Sequence, residues 1–241
     1  MDGAAPEFQA LETFSSGTLT FQSCEKLTGA PSFPALETFT GGTINFSGLT
    51  NPTGAPSFSA LKTFSTGTVT FQNCKGLDGA APEFQALETF SSGTLTFQSC
   101  EKLTGAPSFP VLTTFNGGTI NFQDCKGLDG TVDFSGLQTV GGSVNFSGCT
   151  NLAGITLENC VVSTANWSKF NFTNTGITTV NLSGSELSGT LDMTKLTNLT
   201  TLILTGCTGT PAFKLHSSRQ ALVNSGSFNI IDAPATPTIT Y

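Results

Sequence analysis

The sequence predicts a mainly β protein, a single-chain solenoid of stacked 22–26-residue coils with a parallel β-sheet face and a C-terminal cap. Three observations predict this fold class. Residues 2–34 recur unchanged as residues 78–110, phenylalanine recurs at a constant interval, and short segments alternate polar and apolar residues. A repeat unit that cannot bury its own apolar face must stack on its neighbours, which is why repetition indicates a solenoid.

Phenylalanine recurs in three series with an interval of 25 residues, except for one 26-residue step between Phe58 and Phe84. The series are Phe8, Phe33, Phe58, Phe84, Phe109, Phe134; Phe14, Phe39, Phe64, Phe90, Phe115; and Phe21, Phe46, Phe71, Phe97, Phe122, Phe146. Parallel strands lie about 4.8 Å apart, a distance at which offset aromatic rings attract one another. The series therefore predict three internal columns of stacked rings.

Each of the first six coils contains a segment typical of a half-buried strand, such as residues 17–22. Leu19 and Phe21 are expected to point inward, and the residues between them outward, because side chains alternate along a strand. The outward residues form the candidate binding face: Thr18, Thr20, Gln22, Thr43, Asn45, Thr68, Thr70, Gln72, Thr94, Thr96, Gln98, Thr119, Asn121, Gln123, Ser143 and Asn145. We expect the face to continue to Thr179, Asn181, Ser183, Thr201 and Thr205.

The coils divide the chain into three parts. Residues 1–150 form six near-identical coils of about 25 residues, residues 151–213 form more degenerate repeats, and residues 214–241 form a cap and linker. A short helix within residues 215–223 is expected to close the core, and residues 232–238 are typical of a linker, since terminal repeats need covers. Met1 occupies the position of Leu77 in the exact copy, which favours a piece of a longer array.

The later repeats carry a recognisable spacing. It is L-x-x-L-x-x-L-x-L-x-x-C, formed by Leu196, Leu199, Leu202, Leu204 and Cys207, and Val180, Leu182, Ser185 and Leu187 repeat it 22 residues earlier. This spacing resembles cysteine-containing leucine-rich repeats, and residues 137–146 resemble the receptor L-domain variant of such solenoids. The resemblance covers about residues 8–210. It implies a β-solenoid whose sheet face is the contact surface, and it does not name a ligand.

The cysteines follow the same register. Cys24, Cys74, Cys100, Cys125 and Cys149 occupy one coil position, Leu49 replaces the sixth, Cys207 holds the same place in its own repeat, and Cys160 is displaced. A position that accepts leucine is apolar, so an internal ladder of buried thiols is expected. Disulfides between neighbouring rungs, such as Cys100 and Cys125, are the alternative, although parallel side-chain vectors are a poor geometry for them.

The charge pattern argues against several function classes. Charged residues make up 10% of the chain and the net charge is −7, so no basic surface is expected to bind nucleic acid. No run of about 18 apolar residues indicates membrane insertion. His216 is the only histidine and is expected at the surface, and the glutamate column at Glu12, Glu37 and Glu88 is interrupted by lysine and threonine in other coils. We therefore predict no catalytic residues, no enzyme activity, no cofactor and no metal.

Several alternatives stay open. Asp124, Asp129 and Asp133 lie close enough in sequence to form a calcium site. The neutral face predicts a non-enzymatic recognition or adhesion module of a larger cell-surface or secreted protein, extracellular, binding a protein or glycan. Regular Thr-x-Thr pairs, interrupted at Asn45, Asn121 and Asn145, alternatively indicate an ice-binding solenoid. A purely structural spacer is a further alternative. The sequence does not indicate an oligomeric state.

Overall fold

The computed structural model describes residues 3–233 and 237–241. It is mainly β, with 33% strand and 5% helix, and its parallel sheets stack as a β-solenoid of about nine turns. The predicted fold class is confirmed. Short strands suffice in this architecture because each strand pairs with the equivalent strand of the next coil rather than with a sequence neighbour.

The strands predicted to form the candidate face make one seven-stranded parallel sheet, which we call the front sheet. Its strands are Thr18–Thr20, Thr43–Asn45, Thr68–Thr70, Thr94–Thr96, Thr119–Asn121, Ser143–Asn145 and Phe170–Asn171. The 26-residue step is accommodated without loss of register, since Thr68 pairs with Thr94. All six predicted strands therefore lie in register, and Phe170–Asn171 extends them.

A second parallel sheet, the side sheet, lies just before the front sheet in each of the first six coils. Its two-residue strands are Thr13–Phe14, Thr38–Phe39, Thr63–Phe64, Thr89–Phe90, Thr114–Phe115 and Thr139–Val140. The chain turns between the two sheets at glycines with positive φ, such as Gly93 at 91°. A Cβ at Gly93 would lie 2.5 Å from the Gly67 carbonyl oxygen, so the close stacking of coils requires glycine there.

The third side of the coil is completed by single β-bridges in the early coils and by a five-stranded back sheet in the later ones. One series of bridges joins Glu7, Ser32 and Ser57, and a second series joins Glu83, Ser108 and Asp133. The back sheet continues from the last of them through Thr131–Asp133, Gly154–Thr156, Thr179–Asn181, Thr201–Ile203 and Asn229–Ile231. This side changes from isolated bridges to full strands at about residue 131.

The candidate face was expected to continue to Thr179, Asn181, Ser183, Thr201 and Thr205. This expectation is wrong, because the two strands that contain or directly precede these residues lie in the back sheet. The pattern Leu202-x-Leu204-x-x-Cys207 has the same spacing as Leu19-x-Phe21-x-x-Cys24 on the front side. Spacing alone cannot distinguish two sides of one coil that use the same strand-and-turn pattern. The predicted face therefore ends near residue 171.

The remaining elements are small. A two-stranded sheet joins Gly3–Ala4 to Leu27–Thr28, one three-stranded sheet contains Val161–Ser163, Glu186–Ser188 and Thr208–Gly209, and another contains Thr190–Met193, Ala212–Leu215 and Thr238–Thr240. Helix α1 spans Thr164–Trp167, a 3₁₀ turn spans Ser217–Arg219, and helix α2 spans Gln220–Asn224.

Helix α2 overlaps the segment in which the sequence predicts a capping helix. The predicted linker falls partly on residues 234–236, outside the described residues, and beyond them Thr238–Thr240 pairs with the strand Ala212–Leu215. Coil pairing therefore resumes at the end of the chain. His216, expected at the surface, is half-buried and accepts the backbone N–H of Ser218 at the start of the 3₁₀ turn.

The core of the first six coils contains the three predicted phenylalanine columns, packed among buried aliphatic and cysteine side chains. Neighbouring ring centroids within them lie 4.5–5.9 Å apart. Most pairs are nearly parallel, whereas Phe90 and Phe115 meet at 90°. Each buried ring contributes about 1.5–3 kcal/mol through removal of apolar surface from water. The columns fix the register of the coils and so force the polar residues between them outward.

Candidate functional site

The front sheet displays its sixteen predicted face residues in three rows that cross the strands. The outer row is Thr18, Thr43, Thr68, Thr94, Thr119 and Ser143; the strand-end row is Thr20, Asn45, Thr70, Thr96, Asn121 and Asn145; and the glutamine row is Gln22, Gln72, Gln98 and Gln123. All are exposed or half-buried, and none is charged. The structure therefore gathers the predicted residues on one neutral hydrogen-bonding surface.

Side chains of the strand-end row stabilise the turn that follows each front strand. The Asn121 Oδ1 accepts the backbone N–H of Gln123 at 3.0 Å, and the Thr96 Oγ1 accepts the backbone N–H of Gln98 at 3.3 Å. Asparagine and threonine are suited to such turns because their short side chains reach the backbone two residues on. The chain leaves each front strand through this turn, so the row is partly occupied by the fold itself.

The amides of the strand-end and glutamine rows bridge neighbouring coils. Gln72 Nε2 donates to Gln98 Oε1 at 3.2 Å, and Asn145 Nδ2 donates to Gln123 Oε1 at 3.3 Å. These contacts hold long side chains in one orientation before any ligand arrives. A preordered surface loses less side-chain entropy on binding.

The outer row is the part of the face that the fold leaves unused. Within residues 3–233 and 237–241, its hydroxyls make no hydrogen bond to another protein group. The residues Thr68, Thr94 and Thr119 are half-buried. The backbone pairs Thr68 with Thr94 and Thr94 with Thr119, which sets the threonines one strand spacing apart. The row is a regular series of hydroxyls, each able to donate and to accept.

A cleft that sequence reasoning missed lies where the front sheet ends. Helix α1 carries Trp167 inward, and its indole N–H donates to the Asp192 carbonyl oxygen at 2.7 Å. The Thr164 Oγ1 donates to the Thr190 carbonyl oxygen at 2.9 Å and accepts the Thr190 N–H at 2.8 Å. At this place, hydrogen bonds from side chains of helix α1 to the strand Thr190–Met193 replace the backbone hydrogen bonds that join paired strands elsewhere.

The cleft has a volume of about 200 Å³. Its walls are formed by Thr164, Trp167, Ser168, Phe170, Thr190, Asp192, Thr194 and Lys195. A hydrogen bond from the Thr194 hydroxyl lowers the pKa of Asp192, and Lys214 and Lys195 act in the same direction. The sequence signal for this feature is the chain's only tryptophan within a coil that departs from the phenylalanine pattern. Both aromatic rings of the cleft are buried, and the accessible surface of its wall is more apolar than polar.

The cysteines form the expected internal ladder, and all seven thiols are free. The thiols of Cys74, Cys125 and Cys149 each donate to a phenylalanine carbonyl oxygen of the preceding coil at 3.0 Å. The displaced Cys160 makes the same bond on the other side of the coil, to Phe134 at 3.2 Å. Burial raises the pKa of Cys149 to about 12 and that of Cys160 to about 11. Neutral buried thiols are poor nucleophiles.

Two of the acidic residues have partners that belong to the fold. Glu37 and Lys62 make an exposed ion pair at 3.0 Å, and Asp129 accepts the backbone N–H of Gly105 at 2.8 Å. Among residues 3–233 and 237–241, no group of three or more His, Cys, Asp or Glu side chains is arranged to hold a metal ion. In the same part of the chain no helix is long and apolar enough to cross a membrane.

Comparisons of this chain with protein-family models, with curated proteins and with solved structures found no match. The functional argument therefore depends on the geometry of the front sheet. Of the features described, this sheet presents the largest ordered set of hydrogen-bonding groups in contact with solvent.

Proposed function

We propose that this chain is a non-enzymatic recognition or adhesion module of a larger cell-surface or secreted repeat protein, and that its front sheet binds a protein or a glycan. The observation that carries the proposal is the outer row of hydroxyls, which stand in register and have no partner within the described protein. The amide bridges beside the row support it, because they hold neighbouring side chains in place.

The chemistry of the face favours an uncharged ligand with several hydrogen-bonding groups. Each contact from a hydroxyl or amide to a ligand contributes a modest net free energy, about 0.5–1.5 kcal/mol. Repetition of the same groups along the rod compensates for these small contributions. Once a ligand has bound to one coil, its contacts to the next coils form at a high effective concentration. The resemblance to leucine-rich repeats supports the front sheet only through residues 137–146, whose strand Ser143–Asn145 lies in that sheet. The repeats that contain Leu182 and Leu204 have their strands in the back sheet.

The test is a pair of matched double variants. T94K/T119K places two long cations on the outer row, and T89K/T114K places them on the side sheet of the same two coils, at half-buried positions. The probes are an array of neutral oligosaccharides and a set of purified extracellular matrix proteins. Circular dichroism establishes that both variants keep the fold.

We expect at least one probe to bind the natural chain and the side-sheet variant equally, and to bind the front-sheet variant at least tenfold more weakly. Equal binding by the front-sheet variant would remove this face from the proposal. Binding of no probe by the natural chain would count against recognition as its function.

A second candidate function is ice binding. The outer row is the better ice-binding surface, because its hydroxyls have no hydrogen-bond partner within the described protein, whereas the strand-end row contains asparagines. A thermal-hysteresis measurement separates the two functions, because recognition of a protein or glycan produces none. Hysteresis that is lost in T94K/T119K and kept in T89K/T114K would support ice binding. Absence of hysteresis and of probe binding together would leave the structural spacer as the function.

A further inference from the structure

The cleft beside helix α1 lies at a break between two equivalent strands of the rod. Phe170–Asn171 is the last strand of the front sheet, and Thr190–Met193 follows it one coil later in a different sheet. Asn171 and Asp192 occupy the same coil position, because the Oδ1 of each accepts the N–H and the hydroxyl of the threonine two residues on. The front ladder therefore stops where a further strand is in place to continue it.

The break leaves a buried backbone donor without a partner. In each of the six preceding coils, the phenylalanine after the front strand donates its N–H to the next coil, as Phe146 does to the Asn171 carbonyl oxygen at 2.9 Å. The equivalent acceptor for Phe172 is the Asp192 carbonyl oxygen, which accepts the indole N–H of Trp167 instead. Within residues 3–233 and 237–241 the Phe172 N–H has no acceptor, although Phe172 is 3% exposed. Such unpaired buried groups are rare in proteins.

A second backbone donor faces the cleft for the same reason. Val144 donates its N–H to the Lys169 carbonyl oxygen at 2.9 Å, so its counterpart Phe170 is expected to donate to the Thr190 carbonyl oxygen. That oxygen accepts the Thr164 hydroxyl instead, at 2.9 Å. The Phe170 N–H is therefore directed toward the cleft, whose wall Phe170 helps to form.

The side chains of the cleft surround an apolar base with both donors and acceptors. Trp167 and Phe170 supply the base, and Lys195 supplies a donor at the rim. Asp192 uses its Oδ1 for the turn, and within the described part of the chain its Oδ2 has no hydrogen-bond partner. The opposite charges of Asp192 and Lys195 favour a neutral ligand over an ion.

We infer that this cleft binds a single neutral pyranose ring. One face of a pyranose consists of C–H groups and matches the apolar base, while its hydroxyls both donate and accept and so suit the mixed rim. The cleft volume of about 200 Å³ is smaller than the ~300–1,000 Å³ of pockets for drug-sized ligands, so one ring fits rather than a chain. The sugar hydroxyls donate to Asp192 and accept from Lys195 and the Phe170 N–H. This site is separate from the outer row, and neither site requires the other.

The only tryptophan of the chain makes the cleft directly observable, because the indole N–H signal of Trp167 in an NMR spectrum reports on the cleft alone. The full chain is titrated with glucose, galactose, mannose and N-acetylglucosamine, and with cyclohexanol as a ring that lacks the rim of hydroxyls. We expect at least one sugar to shift the indole signal saturably and to show nuclear Overhauser contacts between the indole and its C–H protons. Cyclohexanol should bind at least tenfold more weakly. No response to any of the sugars, or equal binding of cyclohexanol, would overturn the inference.

Two aspartates provide matched variants. Asp133 makes the same turn as Asp192, since its Oδ1 accepts the N–H of Ser135 at 2.9 Å, but it lies in the back sheet outside the cleft. D192N keeps the turn, as Asn171 shows in the preceding coil, and replaces the acceptor Oδ2 by an amide donor. We expect D192N to weaken sugar binding at least tenfold and D133N to leave it unchanged. Undiminished binding by D192N would overturn the inference.

Two further measurements exclude other sites and occupants. The front-sheet variant T94K/T119K should bind the sugar as the natural chain does, and loss of the indole response in this variant would overturn the assignment to the cleft. The rival occupant is an extended peptide that restores the ladder, for which a synthetic peptide of residues 143–148 is the probe. Slowed hydrogen exchange at Phe172 with this peptide, without any response to sugars, would identify a strand as the occupant and contradict the proposed ligand.

Discussion

The thiol of Cys125 donates a hydrogen bond of 3.0 Å to the carbonyl oxygen of Phe97 in the preceding coil. Ser185 makes the equivalent bond to Leu157 at 2.6 Å on the back side of the rod. Cysteine and serine therefore have the same structural role. Each is a small buried side chain that donates a hydrogen bond to a backbone carbonyl of the preceding coil.

This relationship predicts the ranking of two substitutions at one position. Cys125→Ser keeps a donor to the Phe97 carbonyl, whereas Cys125→Ala removes the donor and leaves a small void. We expect Cys125→Ala to lower the free energy of unfolding by about 2 kcal/mol and Cys125→Ser to lower it by less. Urea denaturation of the two variants measures the difference, and a larger loss in the serine variant would contradict the assigned role.

The buried thiols predict that stability falls in alkaline solution. A thiol in the unfolded chain ionises near its ordinary pKa of about 8.5, while burial raises the pKa of Cys160 to about 11 and that of Cys149 to about 12. Above about pH 8.5 the unfolded state therefore binds fewer protons than the folded state, and stability decreases as pH rises. This stabilisation is fully present below that pH and declines until the folded thiols themselves ionise.

The expected slope is about 1.4 kcal/mol per pH unit for each such thiol between the two pKa values. Denaturant midpoints measured from pH 7 to pH 10.5 test it. The double variant C149S/C160S should show a shallower decline than the natural chain. An identical decline in both proteins would show that these thiols do not govern the effect.

The strand-end turn predicts that two neighbouring face residues differ in their contribution to stability. Asn121 accepts the N–H of Gln123, whereas the Thr119 hydroxyl has no partner within the described part of the protein. Asn121→Val should therefore cost about 1 kcal/mol, and Thr119→Val should be close to neutral. Thermal unfolding of both variants checks this, and equal losses would argue against the turn as a structural element.

The exact repeat offers an internal control for the contribution of stacking. Phe14 and Phe90 occupy identical local sequences, but Phe14 is half-buried and Phe90 is 0% exposed between two rings. We expect Phe90→Ala to cost about 3–5 kcal/mol and Phe14→Ala to cost about half of that. Equal costs, measured by urea denaturation, would mean that a covering coil adds nothing to the column.

The sequence was sufficient for the front strands and the core, because a constant period and strict alternation act together over residues 1–150. Each of the first six coils has an aliphatic residue at the position of Leu19 and a phenylalanine at that of Phe21, so the inward direction of both follows from strand geometry. The side sheet was missed because its strands, such as Thr89–Phe90, are two residues long and show no alternation.

Beyond residue 150, the local spacing was ambiguous. Leu202-x-Leu204 in the back sheet and Leu19-x-Phe21 in the front sheet look alike, since each is a strand followed by the same kind of turn. The Trp167 cleft depends on a helix inserted into one coil, and its walls come from segments about 25 residues apart. Only the stacking of two unlike coils brings Trp167 against the Asp192 carbonyl.

The central claim is that the coils stack in register, so that Thr18 and Ser143 are the first and sixth members of one row on the front sheet. Spin labels introduced at these two positions as unnatural amino acids, which leaves the buried thiols untouched, allow their separation to be measured by double electron–electron resonance. Five strand spacings of about 4.8 Å predict a single narrow distribution near 24 Å. A broad distribution, or one displaced by more than about two strand spacings, ~10 Å, would contradict the stacked arrangement.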